Sequence, residues 1–255
     1  MRFTDKVVLV TGGSQGIGEA TCKRFAAEGA QVAVVASSSL DKAQKVVDEI
    51  AADGGRAKAF VCDVTSVAAI ETLVEDVIAA FGRIDILVNS AGVFYQTRVG
   101  ETDEAMFDRM CDINLKGTFF MCEAVAPHMI ERGSGTIINI GSTSGVVGRR
   151  DFIVYSATKA AVMHMTRALA VALAPHGVNV NVIAPGNTET PMNLHIRTEP
   201  ENEAIRQTIA ERTPSKRLFA DPDEIAGAAL FLASPDARSM YGSTILVDNG
   251  ITAGY

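Results

Sequence analysis

Apolar positions along the chain form two alternating textures. One is a short continuous run rich in β-branched residues, found at 7–10, 31–36, 57–62, 84–88, 136–140, 178–183 and 244–247. Runs this short and this apolar predict strands buried on both faces. The other spaces apolar residues at i, i+3 and i+4, as in Ile70, Leu73, Val74, Val77 and Ile78. It predicts helices over 16–28, 41–52, 66–81, 103–132, 155–174 and 222–233. Gly29 and Gly54-Gly55 stand where the first two helices should stop.

Strands and helices in strict alternation predict an α/β fold. Right-handed crossovers place helices on both faces of one doubly wound, seven-stranded parallel sheet. No linker, repeat or low-complexity segment interrupts the pattern, so residues 1–255 read as one domain. The exception is 187–215, a polar stretch with Pro191, Pro200 and Pro214 and no clear strand. A long irregular segment inside a compact domain reads as a substrate-binding lid.

Composition narrows the picture. The 255 residues are 47% hydrophobic and 21% charged, which suits a large folded core. Lys and Arg number 23 against 30 Asp and Glu, a net charge of -7. That balance argues against a nucleic-acid partner, whose phosphates need a basic surface. No run approaches the roughly 20 apolar residues of a membrane span. The first residues lack the apolar stretch and cleavage site of a secretory signal, so a cytoplasmic location is expected. Cys22, Cys62, Cys111 and Cys122 form no CxxC pair and have no His at ligand spacing. They read as unpaired thiols, with no metal site.

Candidate chemistry begins at Thr11-Gly12-Gly13-Ser14-Gln15-Gly16-Ile17-Gly18, between the first strand and first helix. Glycines let the backbone turn tightly and approach a ligand, and the helix start adds N–H groups and a positive dipole end. The combination suits the pyrophosphate of a dinucleotide, although the order is GxxxGxG and not GxGxxG. At the end of the second strand, Ala36 leads into Ser37-Ser38-Ser39. A carboxylate there would hold the 2′-hydroxyl of NAD and repel the 2′-phosphate of NADP. Its absence favours NADP, with NAD still possible because no Arg is present either.

Further along, Tyr155 and Lys159 lie at i, i+4 on one helix face, and Ser142 follows the fifth strand. With the glycine turn, Asp63, Asn89-Ser90-Ala91-Gly92, Asn114 and Pro185-Gly186, these motifs give the whole chain a resemblance to the classical short-chain dehydrogenase/reductase family. The resemblance implies a Rossmann fold and a hydride transfer between a nicotinamide cofactor and an alcohol or ketone. It makes Tyr155 the acid/base, Lys159 its charged neighbour and a ribose ligand, and Ser142 the partner of the substrate oxygen. Asn114 would position a water in a proton relay. Tyrosine's ordinary pKa of about 10 makes it a poor base near neutrality. Lowering it by about three units takes roughly 4 kcal/mol of interaction with nearby positive charge.

By the same resemblance Gly12, Ser14, Gln15, Gly16, Ile17 and Gly18 cradle the cofactor's phosphates, and Ser37 and Ser38 border its adenosine ribose. Asp63 and Val64 hold the adenine, and Asn89, Ala91 and Gly92 support the ribose and the central sheet. Pro185, Gly186, Thr188 and Thr190 border the nicotinamide. Thr188, Ser90 and Asn249 depart slightly from the family's pattern.

The substrate is expected to be a small polar molecule, such as a sugar, polyol or hydroxy acid. Arg149, Arg150, His195 and Arg197 are candidates to bind an anionic group on it, or are plain surface cations. An alternative is reduction of 3-oxoacyl thioesters on acyl carrier protein. Gly133 and His176 stand where such relatives carry basic docking residues, which weakens that reading. A cofactor-binding regulator without catalysis is disfavoured by the intact Asn114, Ser142, Tyr155 and Lys159. Met163, Met165, Met192 and Met240 read as core more than pocket, and His128 and His164 as structural or exposed. The resemblance also implies a homotetramer. The helices from 103 and 155 would form one interface, and the segment 250–255 would contribute to another.

Overall fold

The computed structural model describes residues 1–254. Seven strands form one sheet: β1 (Val7–Thr11), β2 (Gln31–Ala36), β3 (Arg56–Val61), β4 (Ile86–Asn89), β5 (Gly135–Ile140), β6 (Val178–Pro185) and β7 (Thr244–Val247). Their order is β3-β2-β1-β4-β5-β6-β7, and every pairing is parallel. The predicted α/β class, strand count and doubly wound topology are therefore observed. Val8, Leu9 and Val10 are fully buried, as expected of a central strand covered on both sides.

Helices cover both faces. On one side α1 (Gly16–Ala27), α2 (Leu40–Ala52) and α9 (Pro222–Leu232) pack Phe25, Val46, Ile50, Ile225 and Leu230 onto the sheet. On the other, α3 (Val67–Phe81), α5 (Thr118–Arg132) and α6 (Ile153–Leu173) contribute Ile70, Leu73, Met121, Val125 and Leu173.

The order in which successive strands are added reverses between β1 and β4, the switch point beyond whose strand ends α/β sheets bind ligands. Thr11, Asn89 and Asn139 lie side by side there in register. Asn89 Nδ2 donates to Asn139 Oδ1 at 2.9 Å, and Asn139 Nδ2 donates to Thr166 Oγ1 at 2.9 Å. This buried polar chain ties β4, β5 and α6 together just below the switch point.

Two segments differ from expectation. The helix predicted over 103–132 is broken into α4 (Glu104–Met110), a π-helical segment (Cys111–Gly117) and α5. The π-segment packs where Gly117 meets Val64: a Cβ on Gly117 would come within 2.8 Å of the Val64 carbonyl. Apolar spacing cannot register such a widened turn, because it disturbs the period by one residue only. The stretch at 187–215 is also less irregular than its sequence implies. It holds the short helices α7 (Leu194–Thr198) and α8 (Glu203–Arg212), neither of which fully buries a residue.

Among the described residues no helix is long and apolar enough to cross a membrane, and no cluster of ligating side chains suits a metal. All four cysteines are unpaired. Met163 is buried and Met240 packs on the core, whereas Met192 is exposed. His128 and His164 are both exposed.

Candidate active site

The glycine turn is shaped by close packing. Gly12 has φ +65°, and a Cβ there would stand 2.9 Å from the Ala91 backbone. At Gly18 a Cβ would stand 2.2 Å from the Gly12 carbonyl. Both positions therefore demand glycine for space. Thr11 Oγ1 accepts from the N–H groups of Ser90 and Ala91, each at 3.2 Å, and locks the turn to the end of β4. Gly16 abuts Thr190, whose methyl would lie 3.2 Å from an added Cβ. Gln15, before α1, makes no side-chain cap, so the first N–H groups of that helix remain open to an anion. This bare, positive, Cβ-less cradle fits a dinucleotide pyrophosphate. Gly12, Ser14, Gln15, Gly16, Ile17, Gly18, Ala91 and Thr190 all border it or lie in its turn.

Ser37 and Ser38 are exposed beyond β2. Asp63 is exposed, and its carboxylate accepts from the Thr65 N–H and hydroxyl at 3.0 and 2.9 Å. Val64 is buried beside it. Thr188 is buried and pairs with Ala220 as an isolated bridge, while Gly186 presses on Asp248 with no room for a Cβ. Asn89 stands apart from the other predicted site residues. Its side chain turns into the core toward Asn139 and Cys122, so it shapes the sheet under the switch point.

Ser142, just past the end of β5, comes together with Tyr155 and Lys159 in the first two turns of α6. Ser142 opens a short turn, and its Oγ accepts from the Ser144 N–H at 3.1 Å. Lys159 is buried and donates from Nζ to the Ile140 carbonyl at 2.8 Å. Nζ also lies 5.8 Å from the centre of the Tyr155 ring. Burial pushes the Tyr155 hydroxyl above its ordinary pKa, and a hydrogen bond with Ser142 opposes that push. Burial lowers Lys159 to about 8.

Asn114 sits fully buried in the π-segment. Its Oδ1 accepts from Val93 N at 2.8 Å, and its Nδ2 donates to Val93 O at 3.0 Å and to Thr158 Oγ1 at 3.3 Å. Gly92 packs closely beside it: a Cβ there would lie 3.3 Å from Asn114 Oδ1 and 3.6 Å from Lys159 Nζ.

Two aromatic residues near Tyr155 escape sequence reasoning. Phe94 meets the Tyr155 ring edge-on, with centroids 4.8 Å apart and planes at 86°, and lies 4.5 Å from Phe152. Neither belongs to a periodic pattern or a motif, so no sequence signal marks them. Among the candidate cations, Arg150 pairs with Asp151 and Arg197 pairs with Glu189.

Comparison with known proteins places the chain in a family. A family model described as short chain dehydrogenase matches residues 6–201. The D-threitol dehydrogenase of Mycolicibacterium smegmatis is 38% identical over 251 residues, 98% of this chain and 94% of that protein. The 3-oxoacyl-acyl-carrier-protein reductase of Thermotoga maritima is also 38% identical over 251 residues, 98% of this chain and 99% of that protein. The crystal structure of levodione reductase matches with a TM-score of 0.92 at 38% identity, covering 100% of both chains. The chain belongs to the short-chain dehydrogenase family, oxidoreductases that act on CH–OH groups with a nicotinamide cofactor.

Proposed function

We propose that this chain interconverts a secondary alcohol and its ketone, with NADP as the preferred cofactor and a small neutral polyol or sugar as substrate. The observation that carries the reading is the grouping of Ser142, Tyr155 and Lys159 beside the glycine cradle. When bound, the nicotinamide supplies the hydride acceptor or donor. Tyr155 takes the substrate's hydroxyl proton at Oη in oxidation and returns it in reduction. Ser142 holds the substrate oxygen and stabilises charge developing on it. Lys159, with its pKa near 8, keeps a positive charge beside the ring at neutral pH. Asn114, which approaches Lys159 across Gly92, would position the water of a proton relay.

The NADP preference is supported by β2 ending without a carboxylate. The first one after it is Asp41, already inside the first turn of α2. Ser39 makes no side-chain cap on that helix, so its first N–H groups can join Ser37 and Ser38 around a phosphate. A neutral substrate is supported by the pairing of Arg150 and Arg197 with carboxylates. It is also supported by resemblance to the D-threitol enzyme. Hydroxy acids rank lower, resting on Arg149 and His195, which form no ion pair among the described residues. Resemblance to the 3-oxoacyl reductase supports a second reading, which the exposed Gly133 and His176 at the docking positions disfavour. A single catalytic domain with a lid at 187–215, a homotetrameric assembly and a cytoplasmic location complete the proposal.

Initial rates with NADPH and NADH on ketoses, oxo acids and 3-oxoacyl thioesters, and on matching alcohols in reverse, test it. Polyol or ketose turnover, faster with the NADP pair and reduced about 10²–10⁴-fold in Tyr155→Phe, is the expected result. Thioester turnover alone would establish the second reading. Tight cofactor binding with no turnover would leave a regulator.

A further inference from the structure

We propose that residues 93–98 form a strap that positions Tyr155, with Phe94 as the side chain that makes contact. The proposal rests on Tyr155 being the acid/base.

The strap is anchored at both ends. At one end Asn114 grips both backbone polar groups of Val93. A side-chain amide that pairs with one residue's N–H and C=O fixes its position and orientation together. At the other end Thr97 meets the start of α6. Its N–H donates to the Asp151 carbonyl at 2.8 Å, and its Oγ1 accepts from Val154 N at 3.1 Å. Arg98 adds an ion pair to Asp151 at 3.0 Å. The residue before α6, Phe152, makes no side-chain cap, so Thr97 supplies one from outside the helix. Tyr155 stands in that first turn, where an uncapped helix would fray.

Phe94 lies between the two anchors, and its ring meets Tyr155 edge-on and packs against Phe152. Phe94 is half-buried and helps screen the tyrosine from water. Misplacement of a reacting group by about 1 Å can cost about 10²-fold in rate, so a device holding one ring has a measurable output.

Tyr155 is buried enough for its hydroxyl to be pushed up in pKa. In Phe94→Ala, admitted water should weaken that push and move tyrosine ionisation to lower pH, while the loss of the edge-on contact that positions the ring outweighs the easier ionisation in the rate. The ionisable groups on the elements packed around Tyr155 are Lys159 on α6, Tyr95 and Arg98 on the strap, and Arg109 on α4 beside Tyr95. Arg149, Arg150 and Asp151 stand on the loop before α6. Phe94→Ala changes none of them.

The first measurement is tyrosinate formation by ultraviolet difference absorbance, in wild type and Phe94→Ala, each referenced to its own Tyr155→Phe background. It needs neither substrate nor turnover. Ionisation of Tyr155 at lower pH in Phe94→Ala is expected, and an unchanged titration would overturn the proposal. The second is kinetics on the substrate identified by the panel. Phe94→Ala should lower kcat about tenfold, the rate equivalent of one good aromatic pair, with the cofactor's Kd unchanged. Phe94→Tyr, which keeps the ring, should restore kcat. An unchanged kcat in Phe94→Ala, or equal damage in Phe94→Tyr, would overturn the proposal. Should Phe94→Ala fail to fold, Phe94→Leu is read in its place. A wild type without turnover refutes the catalytic reading and leaves the titration to decide the strap.

Discussion

Lys159 carries the largest conflict between stability and function at the scale of single residues. It is buried, and the ammonium loses more hydration than the Ile140 carbonyl returns, which lowers its pKa to about 8. Between that value and the 10.5 of an ordinary lysine, the unfolded chain binds a proton that the folded chain does not. Stability from this group therefore rises with pH across that window and is lowest below it. The gap corresponds to about 3 kcal/mol. Lys159→Met removes the group, so the stability difference between variant and wild type should shrink by about that amount as pH climbs from 8 to 10.5. Urea unfolding at several pH values measures it, and a pH-independent difference would mean that the lysine is not desolvated. The proposed catalytic residues were visible as candidates in the sequence because Tyr155 and Lys159 share a helix spacing and belong to a dense set of motifs. Phe94 and Thr97 were not, since they act through tertiary contacts between a loop and a helix start that no local pattern encodes.

At the scale of elements, the strands and most helices were legible because a buried parallel strand and an amphipathic helix each impose a period on the sequence. The break at Cys111–Gly117 was not, although it turns Asn114 toward Val93. The small helices at 187–215 were hidden by prolines and by the lack of a buried face in α8. The glycine turn offers a direct test of which local features serve the ligand. Gly18 has no room for a methyl group, whose nearest neighbour would be the Gly12 carbonyl at 2.2 Å. Gly54, with φ +79°, has nothing within 4 Å of an added Cβ. Gly54→Ala should therefore cost only the left-handed conformation, about 1 kcal/mol, and leave cofactor affinity intact. Gly18→Ala must displace backbone at the cradle and should weaken NADPH binding at least about tenfold, besides a comparable or larger loss of stability. Fluorescence titration of NADPH and thermal melts separate the two effects. Equal affinities in both variants would detach the glycine turn from the cofactor.

At the scale of the whole molecule, apolar side chains among the described residues are exposed on different elements, and two such areas bear on assembly. One is a stripe along α6, where Ile153, Ala157, Ala160, Ala168 and Val171 recur at helical spacing on the exposed side, interrupted by His164 and Arg167. Val171, in the last turn of α6, is 78% exposed. Phe107 on the neighbouring α4 is also exposed, and an open cavity of about 420 Å³ between Val99, Phe107 and Ile153 adds relief to this area. Small apolar residues let a second helix approach closely, so this stripe suits the same stripe of another copy. The other area lies at the sheet edge, where Leu246 on β7, Phe231 on α9 and Tyr241 are exposed. An edge strand with apolar neighbours is an aggregation hazard unless covered. Tyr255, the last residue of the segment expected at that interface, lies outside the described residues. If each patch pairs with its own copy about a two-fold axis, and the two axes cross at right angles, the assembly closes at four copies. Sedimentation at micromolar concentration should therefore give a tetramer. Val171→Lys buries a charge in one interface only and should give dimers, as should Leu246→Lys in the other, while the double variant should sediment as a monomer. Dimers from both single variants together with a monomeric double variant would establish two interfaces. A monomeric wild type would overturn the assembly and leave both apolar areas in need of another explanation.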